Sequence, residues 1–211
     1  VRSDIPRAVT IAVAGAGPRM GTTTQAMQIL NYLSTMEYKV AFVEMSGQRH
    51  MGQYLGILDK SEALDDAHFT LMGNHFYNDA KGLITARSQF DYVVCDYGVY
   101  NDIPDITSFF EKDVKIVCCG AKPWESPWLE PAFGDDDGTL RYIFSFVQKS
   151  DEAMVRDQMG DEAKNTYFAP YAPDFFRYCG ADEIYERIID PKTNRPKHPQ
   201  TKGKRFWPWQ K

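Results

Sequence analysis

Residues 9–46 read VTIAVAGAGPRMGTTTQAMQILNYLSTMEYKVAFVEMS. An apolar, β-branched run, Val9 to Val13, meets a turn carrying Gly15, Gly17 and Gly21. Thr22, Thr23 and Thr24 open a helical pattern, and a second apolar run covers Val40 to Val43. This is a strand–loop–helix–strand unit, the local form of a βαβ crossover. Glycines between a strand and a helix let backbone N–H groups close around an anion, and the helix N-terminus adds partial positive charge. A phosphate site is expected here, at Gly15, Gly17, Arg19, Met20, Gly21, Thr22, Thr23 and Thr24. A tight turn without a ligand would explain the same glycines.

Outward from this unit the pattern repeats. Ala26, Ile29, Leu30, Leu33 and Met36 recur at spacings of three and four, one face of a helix over 22–36. Residues 47–58 read as loop then short helix, weakened by Gly52 and Gly56. Leu64 to Phe76 fits no single period, and Leu83 to Phe90 ends a helix. Further strands are expected at 90–96 (FDYVVCD), 114–119, 141–147 and 167–169. Helices are expected from Asp102, with Pro104 in the first turn, to Phe110, and over 151–159 and 181–189. Trp128 to Phe133 reads as a helical turn, and Asp135, Asp136 and Asp137 as a solvated loop. Strands alternating with helices predict an α/β fold, a mostly parallel sheet with helices on both faces.

At 211 residues the chain suits one such domain. No apolar run approaches the roughly 18 residues that cross a membrane, and no signal-peptide pattern is present. Cys95, Cys118, Cys119 and Cys179 match neither a disulfide framework nor a zinc site, so buried thiols in a reducing cytoplasm are expected. The first residue is Val1, which fits a domain cut from a longer chain or a tag remnant. Charge is divided unevenly. Of 24 Lys and Arg, seven lie in 191–211 with no acid among them, leaving 17 basic against 29 acidic residues in 1–190. An acidic body argues against broad nucleic-acid binding. The division also sets a domain over 1–190 apart from a basic, Pro-rich tail over 191–211. Phe206, Trp207 and Trp209 in that tail suit either a membrane surface or a protein groove. His50, His68, His75 and His198 show no metal spacing and read as surface or loop residues, while Trp124 and Trp128 read as packing.

The glycine turn departs from the P-loop pattern G-x-x-x-x-G-K-[ST]. Ala16 stands at the first Gly and Thr22 at the Lys, while Thr23 keeps the hydroxyl position that coordinates Mg²⁺. FDYVVCD supplies an acid, Asp96, as the second Mg²⁺ ligand, provided its strand neighbours the first in the sheet. A carboxylate that only caps a strand end is the other explanation of Asp96.

The stretch AGPRMGTTTQAMQILNYL resembles the deviant Walker A loop of the ParA/MinD-type P-loop ATPases, nearest to the CpaE/TadZ branch, whose loop runs roughly KGGVGTTTLA. FDYVVCD resembles the family's YDYVVVD. Glu44-Met45-Ser46 stands at its D-L-D and Tyr54-Leu55-Gly56-Ile57 near its L-G-L. KIVCCGAKPWE and YFAPYAPDFF resemble the later strands and the Pro-containing loop against the base. The resemblance implies a ParA/MinD-like P-loop NTPase fold over about 8–189, ATP and Mg²⁺ as cofactors, and a homodimer. It further implies protein partners in a pilus, secretion or conjugation machine, and a cytoplasmic place, peripheral at the inner membrane face if the tail binds lipid. The departures imply weak or absent hydrolysis. The cross-dimer Lys falls at Gly17, Pro18 and Arg19 replace glycines, and the second Asp of D-L-D is Ser46. Arg19 either restores charge or is merely exposed. Two alternatives stay open: a Rossmann dinucleotide site, with Gly15-x-Gly17-x-x-x-Gly21 and Glu44 on the ribose, and a nucleotide-free scaffold of the same fold.

Overall fold

The computed structural model describes residues 7–189. Strands β1 (Val9–Gly15), β2 (Val40–Glu44), β6 (Tyr92–Val99) and β7 (Val114–Cys119) form the centre of one nine-stranded sheet. Strands β8 (Leu140–Ser145) and β9 (Thr166–Ala169) extend it on one side. Strands β3 (Ser61–Ala63), β4 (His68–Leu71) and β5 (Asn74–Tyr77) extend it on the other. The order is β3-β4-β5-β2-β6-β1-β7-β8-β9, parallel from β5 onward and antiparallel across β3, β4 and β5. This is the mostly parallel α/β sheet expected from the sequence.

Both faces are covered because the central strands are apolar on both. Ile11 and Val13 of β1 face a core shared with helices α1 (Thr22–Thr35) and α6 (Asp182–Ile189). Ala12 and Ala14 face a second core, shared with α2 (Gly82–Gln89), α3 (Ile106–Phe110), α4 (Glu130–Asp135) and α5 (Glu152–Gln158). Ile29, Leu30 and Leu33 on α1 are fully buried, each contributing about 1.5–3 kcal/mol relative to exposure. Among the described residues no helix is long and apolar enough to cross a membrane.

Several local expectations change. Leu64 to Phe76 holds the β4–β5 hairpin, closed by Met72 (φ 51°) and Gly73 (φ 85°). The region 47–58 contains only a 3-10 turn, Met51–Tyr54. The helix expected from Asp102 starts at Ile106, because Asp105 is the cap that accepts the Thr107 N–H at 3.1 Å. Pro104 precedes that cap, and Tyr100–Asp102 form a separate 3-10 turn. The strand expected to stop at Asp96 continues to Val99 through Gly98 (φ 72°). Asp136 is no free loop acid, since it accepts the Tyr142 hydroxyl at 2.6 Å. His68 and His75 lie on adjacent strands, Nε2 to Nδ1 2.9 Å apart, with His68 stacked on Tyr77. Burial, and then the neighbouring His68, push His75 below the usual imidazole range. Cys95, Cys118 and Cys119 are buried and free, as expected, whereas Cys179 is free but only partly buried. His198 and the tail 191–211 lie outside the described residues.

Candidate functional site: the loop between β1 and α1

Gly15 ends β1 where a side chain has no room. A Cβ there would overlap the Thr22 hydroxyl and lie 2.9 Å from the Gly17 carbonyl oxygen. Gly21 stands before α1 at φ 80°, a left-handed conformation that glycine adopts without strain. No side chain caps the helix that follows. The first-turn N–H groups of Thr22, Thr23 and Thr24 are therefore the kind of donors that accept an anion. Arg19, at the tip, is exposed and itself left-handed at φ 62°. A non-glycine residue held there carries backbone strain.

The sheet order satisfies the condition set on Asp96. Strand β6 lies directly between β1 and β2, with Val13 opposite Asp96 on one side and Glu44 opposite it on the other. The Thr23 hydroxyl donates to Asp96 Oδ2 at 2.7 Å, and the Gly98 N–H donates to Oδ1 at 2.9 Å. Asp96 is only 4% exposed, and burial pushes its carboxyl above the usual range while those two hydrogen bonds pull it back. Among the described residues no Lys or Arg pairs with it. A buried carboxylate without a countercharge, joined to a hydroxyl, is a hard oxygen donor set. It fits Mg²⁺, which binds through one or two protein oxygens, waters and phosphates.

Glu44 has a different task from the one a ribose-binding acid would need. It is 2% exposed, and its two oxygens accept the His50 N–H at 2.8 Å and the Met51 N–H at 3.2 Å. The carboxylate is spent inside the protein, holding the chain after β2. The sheet order also differs from the dinucleotide fold, where the second strand lies beside the first; here β6 separates them. The Rossmann alternative loses both its acid and its topology.

A cavity of about 540 Å³ joins these parts. Gly17 to Thr24 form one wall, Ser46, Gln48 and His50 another, with Asp96 and Phe146 completing it. Gly15 shapes the turn from beneath. Gly17 is roofed by Trp128, since a Cβ at Gly17 would lie 2.6 Å from Trp128 Cδ2. Trp128 is thus packing, as expected, whereas Trp124 is 67% exposed with Lys122 over its ring at 5.5 Å. A second cavity, about 570 Å³, shares Phe146 and adds Pro170 and Tyr171 of the proline-containing loop. The Phe146 and Tyr171 rings lie 5.7 Å apart and are both largely exposed. His50, read from the sequence as a surface or loop residue, lines this cavity, as do Gln48 and Phe146, which carried no sequence signal. They reach the site through the ends of β2 and β8, which no local pattern records. Phe146 follows β8 in a left-handed conformation (φ 62°).

No protein-family model matches the chain, and no curated protein does. Solved structures match over nearly its full length. A MinC:MinD cell division complex from Aquifex aeolicus aligns at TM-score 0.64 and 14% identity, over 93% of this chain and 100% of its own. A plasmid partition protein from Borrelia burgdorferi, solved with AMPPNP, aligns at 0.61 and 13%, over 89% and 98%. McdA of Cyanothece, solved with ATP, aligns at 0.59 and 15%, over 92% and 100%. The fold is that of the ParA/MinD-type P-loop NTPases. At these identities the similarity is one of fold.

Proposed function

We propose that the chain is a ParA/MinD-type nucleotide-binding protein that takes ATP with Mg²⁺ in the cavity between β1 and α1. The observation that carries this is the Thr23–Asp96 pair, 2.7 Å apart at the foot of a helix N-terminus that no side chain caps. In this arrangement the phosphates lie against the backbone N–H groups from Gly17 to Thr24. Thr23 and Asp96 hold the magnesium, and Phe146 and Tyr171 offer ring faces to the base. Bound magnesium would neutralise phosphate charge. Arg19 lies at the cavity mouth, where its guanidinium can meet phosphate oxygens.

Hydrolysis is weak or absent in this proposal. Gly17 and Ser46 put no charge where the resembling ATPases carry Lys and Asp, and phosphoryl transfer relies on such charges. We expect turnover below the ~1 s⁻¹ low end of ordinary enzymes. The protein then works as a homodimer with protein partners, in the manner of the CpaE/TadZ branch, in positioning or assembly of a pilus, secretion or conjugation machine. A role at the cytoplasmic membrane face through the tail 191–211 belongs to the same proposal.

Calorimetric titration with ATP–Mg²⁺, ADP–Mg²⁺ and NADPH tests the binding. Heat for the first two and none for NADPH is expected. Binding of NADPH alone would overturn the proposal, and silence for all three would leave the nucleotide-free scaffold.

A further inference from the structure

The phosphate cavity contains a side chain that its sequence context does not announce. Glu44 accepts the N–H groups of His50 and Met51, which fixes the backbone of His50 to the end of β2. The imidazole Nδ1 lies 4.0 Å from Glu44 Oε1. At that separation the ring is near the carboxylate without a hydrogen bond to it, and Glu44 holds His50 through its backbone N–H. Among the described residues Nε2 has no hydrogen-bond partner, and the side chain is 57% exposed in the cavity wall. Glu44 of β2 and Asp96 of β6 act on it electrostatically, and Arg19 of the glycine loop lines the same cavity. Among the described residues that line the cavity, Arg19 and His50 are the ones whose side chains can carry positive charge.

The placement is also specific. The glycine loop and α1 reach an anion from the β1 side, while His50 approaches from the β2 side, across Asp96. In a P-loop the backbone cradles the α- and β-phosphates and a lysine reaches the terminal ones. That lysine position is Thr22 here, and Gly17 offers no side chain. We propose that His50, set by Glu44, is a ligand of the terminal phosphate and supplies, with Arg19, the positive charge that positions 17 and 22 do not carry. This rests on the ATP–Mg²⁺ reading above.

The test is titration of the full chain with ATP–Mg²⁺, ADP–Mg²⁺ and inorganic tripolyphosphate, using wild type, His50→Gln, His50→Lys and Thr23→Ala, each first checked for a native melting transition. Loss of one charge-assisted hydrogen bond makes His50→Gln bind ATP and tripolyphosphate about tenfold more weakly. ADP should change by less than about threefold, and His50→Lys should stay within about threefold of wild type. Equal ATP affinity in His50→Gln and wild type, with Thr23→Ala impaired, would overturn the role of His50 and leave the nucleotide site standing. Equal losses in His50→Gln and His50→Lys would also overturn it, since a cation would then bring nothing. Absence of binding by wild type to all three probes would overturn both.

Discussion

Gly17 is the point where the loop is tightest, and substituting it should expose how the loop is held. In Gly17→Ala the new methyl would sit 2.6 Å from Trp128 Cδ2 and 3.0 Å from Cζ3. Neither the indole nor the loop can absorb that without moving. Overpacking of this kind costs about 1–3 kcal/mol. For a chain of this size, a loss of 2 kcal/mol lowers the melting temperature by about 4–8 °C. The displaced indole should also shift the tryptophan emission. The backbone at Gly17 is not left-handed, so alanine itself is not strained there. With Trp128→Ala in place, the same substitution should therefore be neutral or stabilising by about 0.4–1 kcal/mol, through the unfolded chain. The double-mutant cycle should accordingly return a coupling of about 2–3 kcal/mol. Equal losses from Gly17→Ala in both backgrounds would refute the clash. A lysine at position 17, as in the branch the sequence resembles, would meet the same indole, so restoring it requires a second change at Trp128.

Three further outcomes can be checked. Thr23→Ala should weaken Mg²⁺-dependent ATP binding by about 1–3 kcal/mol, a lost hydrogen bond to a charged group, measured by calorimetry; unchanged affinity in a folded variant would rule out Thr23 as the magnesium position. Asp96→Asn should stabilise the metal-free protein at neutral pH. Because burial raises the Asp96 carboxyl, its ionisation costs stability as pH rises from the ordinary carboxylate range through the raised value. The melting-temperature advantage of Asp96→Asn should therefore be small in acid and grow with pH, and a gap that shrinks instead would contradict the burial argument. Light scattering should report a dimer at tens of micromolar, with or without ATP, since no side chain at position 17 links the two subunits through nucleotide; monomer under both conditions would remove the dimer from the proposal.

The central strands were legible because their burial on both faces leaves few polar positions to blur them. FDYVVCD and VKIVCC are runs of that kind, and α1 shows its buried face through Ala26, Ile29, Leu30 and Leu33. The antiparallel edge was not. Strands β3, β4 and β5 are three or four residues long, and only Phe69, Leu71 and Phe76 mark their inner face. Their turn is Met72-Gly73, where a hairpin signal would read Asn-Gly or Asp-Gly. For the site, the glycines were visible as chemistry, whereas Asp96 depended on a strand order that local sequence does not contain. Glu44 looked like a ligand-binding acid because it ends a strand. Its hydrogen bonds to residues 50 and 51 come from how the next loop folds back.

That arrangement accounts for how a phosphate loop keeps its shape without its lysines. Among the described residues none of the contacts that hold it is an ion pair. A side chain at Gly15 would overlap the Thr22 hydroxyl and crowd the Gly17 carbonyl, one at Gly17 would meet the Trp128 ring, and Gly21 has a left-handed backbone. Asp96 is held by a hydroxyl and an N–H group. Shape and charge are therefore separable here. A lysine can be lost from position 17 or 22 without opening the cavity, because sterics and neutral donors define it. The positive charge can then come from another strand end, provided a carboxylate such as Glu44 anchors the residue that brings it. Substitutions that alter charge, at Arg19 or His50, should then change affinity and leave stability within the roughly ±0.5 kcal/mol typical of exposed sites, whereas those that alter shape, at Gly15, Gly17 or Trp128, should move both.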